Sequence, residues 1–203
     1  MINNFQKAID KDFAYFYGAF LGDGSLIMSH GYIVIYARRD FNEVKDEWDF
    51  LMECKKAVER WAGIKIRTNP RMRDDSNSWR LNICNKRLCE FVKNVNKEIL
   101  LTASEDIKAS FLQGFFDAEG CVHISKRHEK RVNKNGVIKD KYANAYRFYI
   151  AYTNSDRDLL EFCQKILDSL GIETREIDYR TMKPSKLTLV HNPSREKDNF
   201  GQL

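Results

Sequence analysis

Residues 13–25 read FAYFYGAFLGDGS and residues 109–121 read ASFLQGFFDAEGC. Both are apolar, aromatic-rich segments with a glycine six residues in, at Gly18 and Gly114. Both end small–acidic–Gly, as Gly22-Asp23-Gly24 and Ala118-Glu119-Gly120. Asp23 and Glu119 lie 96 residues apart in a chain of 203, so the chain is written twice.

The segments downstream of the two copies also correspond. After the first come two strand-like runs, SLIMS and YIVIYAR, then a long amphipathic helix from Asp40 to Ala62. KIRTN, a turn, SWRLNI and the helical NKRLCEFVKNVNKEI complete that half. After the second come VHISK, a basic loop, YRFYIAYT, a helix from Ser155 to Leu170, and the strand-like ETREIDYR and KLTLV. Gly63 and Gly171 stand just past the middle helix of each half, where a glycine stop is expected. Period-two alternation in the strands and 3.6 periodicity in the helices predict two α-β-β-α-β-β-α halves, residues 1–100 and 101–203. The fold class is α+β.

The repeated helix has an unusual face. Gly18 and Gly22 stand four apart, as do Gly114 and Ala118, which places a bare stripe along one side of each helix. Glycine within a helix costs about 0.5–1 kcal/mol relative to alanine, so the stripe needs a reason. A close helix–helix interface through Gly18, Gly22, Gly114 and Ala118 supplies one. Side by side around a pseudo-two-fold axis, the two helices bring Asp23 and Glu119 together at one end. Acids are disfavoured at a helix C-terminus. Two carboxylates 4 Å apart also repel by roughly 4 kcal/mol at an effective dielectric of 20. A divalent cation relieves both penalties. Carboxylates with last-turn carbonyls, such as those of Gly22 and Ala118, suit Mg²⁺, leaving room for phosphate and water.

With those residues in place, FYGAFLGDG and LQGFFDAEG resemble the two motif copies of a monomeric LAGLIDADG homing endonuclease, and the resemblance covers nearly the whole chain. It implies that each half's antiparallel sheet forms part of a curved saddle entering the DNA major groove. It implies that Asp23 and Glu119 are catalytic and bind metal, assisted by the carbonyls of Gly22 and Ala118. The implied cofactor is Mg²⁺, with Mn²⁺ or Ca²⁺ able to substitute for binding. The implied activity is double-strand cleavage at a long asymmetric target, leaving short 3′ overhangs. Asp117 matches the motif's earlier acidic position, where the first copy has Leu21, so it receives no catalytic role. Members of the family place a basic or amide side chain near each carboxylate; Arg38, Arg39, His123 and Lys126 are the candidates, and Ala37 stands where a polar residue is expected.

Charge is distributed as such a partner requires. The whole chain carries a formal +5. Residues 64–80 contribute Lys65, Arg67, Arg71, Arg73 and Arg80 against two acids, and residues 126–141 contribute Lys126, Arg127, Lys130, Arg131, Lys134, Lys139 and Lys141 against two. The helical stretch 40–61 holds seven acids against four bases, so cations gather on strands and loops and acids on the supporting helix. In YRFYIAYT, alternation turns Tyr146, Phe148, Ile150 and Tyr152 toward the helices and leaves Arg147, Tyr149, Ala151 and Thr153 to face DNA. Arg180 and Lys186 complete the basic set on the last strand region. Lysines in the loops suit phosphate contacts, which set affinity and salt dependence rather than sequence choice.

The same composition excludes other classes. Hydrophobic residues at 43% and only three prolines rule out a disordered or collagen-like chain. No apolar run approaches the ~18–20 residues that span a bilayer, and MINNFQKAIDKDF lacks the features of a secretory signal. Five cysteines without zinc-ligand spacing read as reduced, mostly buried thiols. The expected setting is intracellular, in the compartment holding host DNA: the cytoplasm of a prokaryote or an organelle matrix. A monomer bound to double-stranded DNA is the expected state. The alternatives are an intron RNA maturase, whose partner is host intron RNA, or a non-cleaving DNA-binding protein on the same fold. An intein-embedded nuclease is disfavoured, because the chain starts with Met and lacks a C-terminal His-Asn.

Overall fold

The computed structural model describes residues 9–38, 44–73, 78–132, 138–177 and 187–191. In chain order the elements are α1 (Lys11–Asp23), β1 (Gly24–Ile27), β2 (Tyr32–Arg38), α2 (Val44–Ala62), β3 (Arg71–Met72), β4 (Ser78–Cys84) and α3 (Lys86–Asn94). After a 3₁₀ turn at Lys97–Thr102 come α4 (Glu105–Glu119), β5 (Gly120–Val132), β6 (Ile138–Asn154), α5 (Arg157–Ser169) and β7 (Leu187–His191). This is a mixed α+β fold with antiparallel sheets. Contacts divide it into two units, Met1–Glu119 and Gly120–Leu203. The sequence repeat divides near residue 100 instead. The difference arises because α4, the first helix of the second repeat, packs along α1.

In the first unit α1 and α4 meet backbone to backbone. A Cβ on Gly18 would stand 2.1 Å from the Phe111 carbonyl oxygen, and one on Gly114 would stand 1.9 Å from that of Tyr15. A Cβ on Gly22 would come 2.6 Å from the Ala118 Cβ. The contacts advance together along both helices, so their C-terminal ends converge. Asp10 caps α1 through its side chain, which accepts from the Phe13 amide, and Lys11 bridges to Asp106 at the start of α4. Around this pair, Phe13 packs on Trp61 of α2 at 4.6 Å and on Phe91 of α3 at 5.3 Å between ring centroids, which seats three helices in one apolar cluster.

The first sheet has the order β1-β2-β4-β3. Ile33, Ile35, Leu81 and Ile83 are fully or almost fully buried on its helix-facing side. Gly31, in the β1–β2 turn, and Gly63 and Gly171, after α2 and α5, adopt φ of 64°, 63° and 72°. Nothing surrounds a Cβ placed at Gly63 or Gly171, so the left-handed backbone alone explains glycine there.

Several segments differ from their sequence reading. KIRTN is not a strand; pairing in that region begins only after Pro70, at Arg71–Met72. The Ile66 amide donates to the Glu59 side chain and the Thr68 hydroxyl to the Asn82 carbonyl, so side chains occupy bonds a ladder would use. NKRLCEFVKNVNKEI is two elements rather than one helix. It breaks at Val95, and Asn96 caps the following 3₁₀ turn. The basic segment 126–141 is largely a ladder: β5 extends to Val132 and β6 begins at Ile138. Register sets Glu129 opposite Lys141, Lys130 opposite Asp140 and Arg131 opposite Lys139.

The second sheet has the order β5-β6-β7, with α5 against β6 and β7. Within ETREIDYR only Thr174 makes a bridge among the described residues, and the tail 192–203 lies outside them. The alternation read for β6 holds only in part at its end: Tyr152 is buried as expected, but Ile150 and Ala151 are exchanged. Ala151 is fully buried, whereas Ile150 is 37% exposed and its cross-strand partner Val122 is 60% exposed. Small Ala151 admits the apolar face of α5, which buries Leu159, Leu160, Phe162, Cys163, Ile166 and Leu167. Tyr149 and Thr153, which share the parity of Ala151, are half-buried. All five cysteines are free; Cys54, Cys89 and Cys163 are buried, Cys121 is intermediate, and Cys84 is exposed. Among the described residues no helix is long and apolar enough to cross a membrane.

The close contact makes a stability prediction. Gly18→Ala or Gly114→Ala drives a methyl group into a backbone carbonyl, an overpacking error of about 3 kcal/mol or more. Urea unfolding should show the loss, while Gly63→Ala, which meets no neighbour, should cost only the strain of its left-handed backbone.

Candidate functional site

Asp23 and Glu119 close α1 and α4, and each is followed at once by the first strand of a sheet. The stripe of small residues sets their approach: a Cβ at Gly22 would stand 3.1 Å from the Glu119 Cγ. Both acids therefore sit where two helix C-termini add partial negative charge. Gly18, Gly22, Gly114 and Ala118 form the contact that brings them there.

The surroundings of the two acids differ. Asp23 lines a cavity of about 510 Å³ with Tyr15, Ala37, Glu47, Asp49, Phe50, Glu53, Gln113, Asp117 and Ala118, and Glu119 does not line it. Five of those residues are carboxylic acids and none is basic. Across the helix pair the Tyr15 hydroxyl donates to Asp117 Oδ2 at 2.8 Å. Burial pushes the Tyr15 hydroxyl well above its ordinary value, and neighbouring negative groups add to the shift. Burial also raises the Asp117 carboxyl, with the bond from Tyr15 acting the other way.

Among the described residues no group of three or more His, Cys, Asp or Glu side chains is arranged to hold a metal ion. The motif acids are a pair with hard oxygen donors and helix-end carbonyls beside them. That donor set fits Mg²⁺, which retains water and takes phosphate oxygens to complete its shell.

On the first sheet the strand face turned away from the helices carries a different chemistry. Its positions include Ser25, Tyr32, Tyr36, Arg71, Ser78, Arg80 and Asn82, and no Asp or Glu occurs among its described strand residues. Arg71 and Arg80 are direct cross-strand partners, and Arg80 also faces Tyr36. Like charges so opposed are unfavourable unless an anion lies over them. Among the described residues, Arg80 Nε and Asn82 Oδ1 are buried without a hydrogen-bond partner. Asn82 and Tyr36 are absent from the sequence-based set, although the alternation in SWRLNIC, with Leu81 and Ile83 inward, was sufficient to place Asn82 beside Arg80.

The remaining candidates are dispersed. Lys65, Arg67 and Arg71 are exposed and Arg73 is half-buried. Arg38 ends β2 opposite Ser78. His123, Lys126, Arg127, Lys130 and Arg131 lie on β5, and Lys139, Lys141 and Arg147 on β6. Arg39, Lys134, Arg180 and Lys186 fall outside the described residues.

Residues 106–196, from the second motif helix onward, match the LAGLIDADG-like domain. The fold is similar to that of the homing endonuclease I-DmoI: its mesophilic variants align with a TM-score of 0.59 and 18% identity over 94% of this chain and 91% of theirs. The fold is that of a double-motif LAGLIDADG protein. I-DmoI in complex with DNA and Mn aligns with a TM-score of 0.58 and 17% identity, covering 91% of each chain. The N-terminal LAGLIDADG domain of DUF199/WhiA aligns with a TM-score of 0.55 and 10% identity over 94% of this chain and 78% of that one. Two proteins of Methanocaldococcus jannaschii, "Uncharacterized protein MJ0314" and "Uncharacterized protein MJ0398", are each 28% identical, over 80% and 95% of this chain. The chain spans 56% and 60% of the length of those two relatives.

The raised Asp117 carboxyl costs stability at neutral pH, and acidification through its titration range lifts that cost. Asp117→Asn keeps an acceptor for Tyr15 and removes the charge. Calorimetry should show a higher Tm for the variant at about pH 7, with the gain shrinking toward about pH 4.

Proposed function

We propose that this LAGLIDADG protein is a site-specific, metal-dependent, double-strand DNA endonuclease that acts as a monomer. One observation carries the reading: the backbone contact at Gly18 and Gly114 brings Asp23 and Glu119 together at the ends of two helices. An acid pair in that position is electrostatically unfavourable by itself and becomes favourable around a divalent cation.

Asp23 and Glu119, with the carbonyl oxygens of Gly22 and Ala118, would hold that cation. When bound, it supplies Lewis-acid chemistry, polarising a phosphate oxygen and lowering the pKa of water. The carboxylates orient the attacking water against the phosphodiester, and two non-identical acids address two strands. Arg38, Arg39, His123 and Lys126 are the proposed sources of a cation to steady the scissile phosphate. The acid-free face of the first sheet takes the duplex. Arg71 and Arg80 meet phosphates or guanine edges, and the unsatisfied Asn82 amide suits adenine. Lys65, Arg67 and the basic ladder around residues 126–141 contribute sequence-independent affinity. Two different sheets suit a long asymmetric target, and cleavage across the minor groove gives short 3′ overhangs. Such an activity belongs in the compartment holding host DNA.

The decisive test is linearisation of plasmids that carry a randomised site, with Mg²⁺ and then with EDTA. Metal-dependent double-strand cutting is expected, and its absence on every site overturns the nuclease in favour of a non-cleaving binder. Asp23→Asn and Glu119→Gln should each lower the cutting rate more than about a hundredfold, since cation stabilisation is worth several kcal/mol. Gel-shift affinity should stay within a few-fold of the parent. A second outcome concerns recognition. Asn82→Ala should relax selection at one or two adjacent base pairs, each by about 1–3 kcal/mol, and leave the other half-site unchanged.

A further inference from the structure

The hydrogen bond from Tyr15 to Asp117 breaks the symmetry of the motif pair. At the 96-residue offset the counterpart of Tyr15 is Phe111, and the counterpart of Asp117 is Leu21. One diagonal across the helix pair is thus polar, closed at 2.8 Å, and the residues at the other diagonal have no group able to form such a bond. Tyr15 is only 8% exposed, so its hydroxyl is committed to this contact rather than to solvent. The bond lies in the cavity that Asp23 shares with Asp117 and that Glu119 does not enter. That shared cavity links the bond to Asp23.

We propose that Tyr15 is a positioning residue: by holding Asp117 it fixes where that carboxylate lies relative to Asp23, and so sets the cleavage rate of the one DNA strand that Asp23 attends. The inference rests on the nuclease reading. With Tyr15 in place, the Asp117 oxygen facing α1 is occupied by a hydroxyl donor. Without the hydroxyl, the carboxylate is free to swing within the shared cavity, where it repels Asp23 and competes with it for cations and water. Glu119 has Leu21 at the equivalent position across the pair, which has no charge to misplace. The two acids are then not interchangeable, and the strand rates are separately tunable through a buried residue that acts by way of Asp117.

The test uses the full chain, Mg²⁺ and a duplex carrying a site recovered from the randomised library, each strand bearing a different end label. Tyr15→Phe keeps the ring and removes only the hydroxyl. It should slow nicking of one strand by about tenfold and leave the other within about twofold. Asp117→Asn retains the acceptor and should keep the strand ratio of the parent. In an Asp117→Leu background, which copies the first repeat, adding Tyr15→Phe should change the ratio no further, because the route through Asp117 is already gone. Equal slowing of both strands by Tyr15→Phe would mean a merely structural role and overturn the inference. So would an unchanged ratio, or additive effects of the two substitutions. A parent chain that leaves every library member intact overturns the nuclease reading and this inference together, so the two failures are distinguishable.

Discussion

The structure of the first unit depends on one steric fact: the backbones of α1 and α4 touch. At Gly18 and Gly114 there is no volume for even a methyl group, because a carbonyl oxygen of the opposite helix occupies it. Helices that pack through ordinary side chains stay 8–10 Å apart, too far for short terminal acids to share one site. The glycines sacrifice helix propensity of about 1 kcal/mol each and in exchange permit an approach that larger residues forbid. Phe13, Trp61 and Phe91 then lock the outer face of α1 against α2 and α3. The apolar cluster holds the pair in place, and the small stripe decides how near it comes.

Electrostatic segregation follows from that geometry. Acids accumulate around the end of the helix pair and along α2, while the outward face of the first sheet presents Arg71 and Arg80 with no carboxylate among its described strand residues. Neither arrangement is comfortable alone. Carboxylates at helix C-termini repel each other and the helix dipole, and opposed arginines repel across strands. A polyanion with its cations would resolve both at once, covering the arginines and bringing positive charge to the acids. The unsatisfied Arg80 Nε and Asn82 Oδ1 fit the same pattern, since buried polar atoms without partners are expensive unless a ligand completes them.

Much of this was legible in residue order. The 96-residue repeat, the glycine stripe and the terminal acids are local patterns, readable wherever one helical period or one strand period is intact. Gly63 and Gly171 mark helix ends by the same local logic and do adopt positive φ. Reading failed where partners overrode the pattern. Charged residues between Lys126 and Lys141 looked like a loop because their cross-strand counterparts, Glu129 with Lys141 and Lys130 with Asp140, are apparent only once the register is known. The aromatic alternation of YRFYIAYT suggested a buried Ile150, but α5 covers the face of Ala151. In NKRLCEFVKNVNKEI the helix periodicity continues past the break at Val95, which the Asn96 cap imposes.

By itself, then, the sequence determined that there are two related helices, that each ends in an acid, and that both faces are bare enough to meet. These properties are encoded within a few residues and survive in any fold that contains the helices. Only the tertiary structure decided what differs between the copies: that Tyr15 reaches Asp117 across 102 positions of chain, that Asp23 but not Glu119 lines the acidic cavity, and that Asn82 stands beside Arg80 with an unmet acceptor. The reason is physical. Periodicity fixes which face of an element a residue occupies, whereas a hydrogen bond or a cavity requires two elements at a definite separation, and here that separation is set by the atoms that glycine lacks.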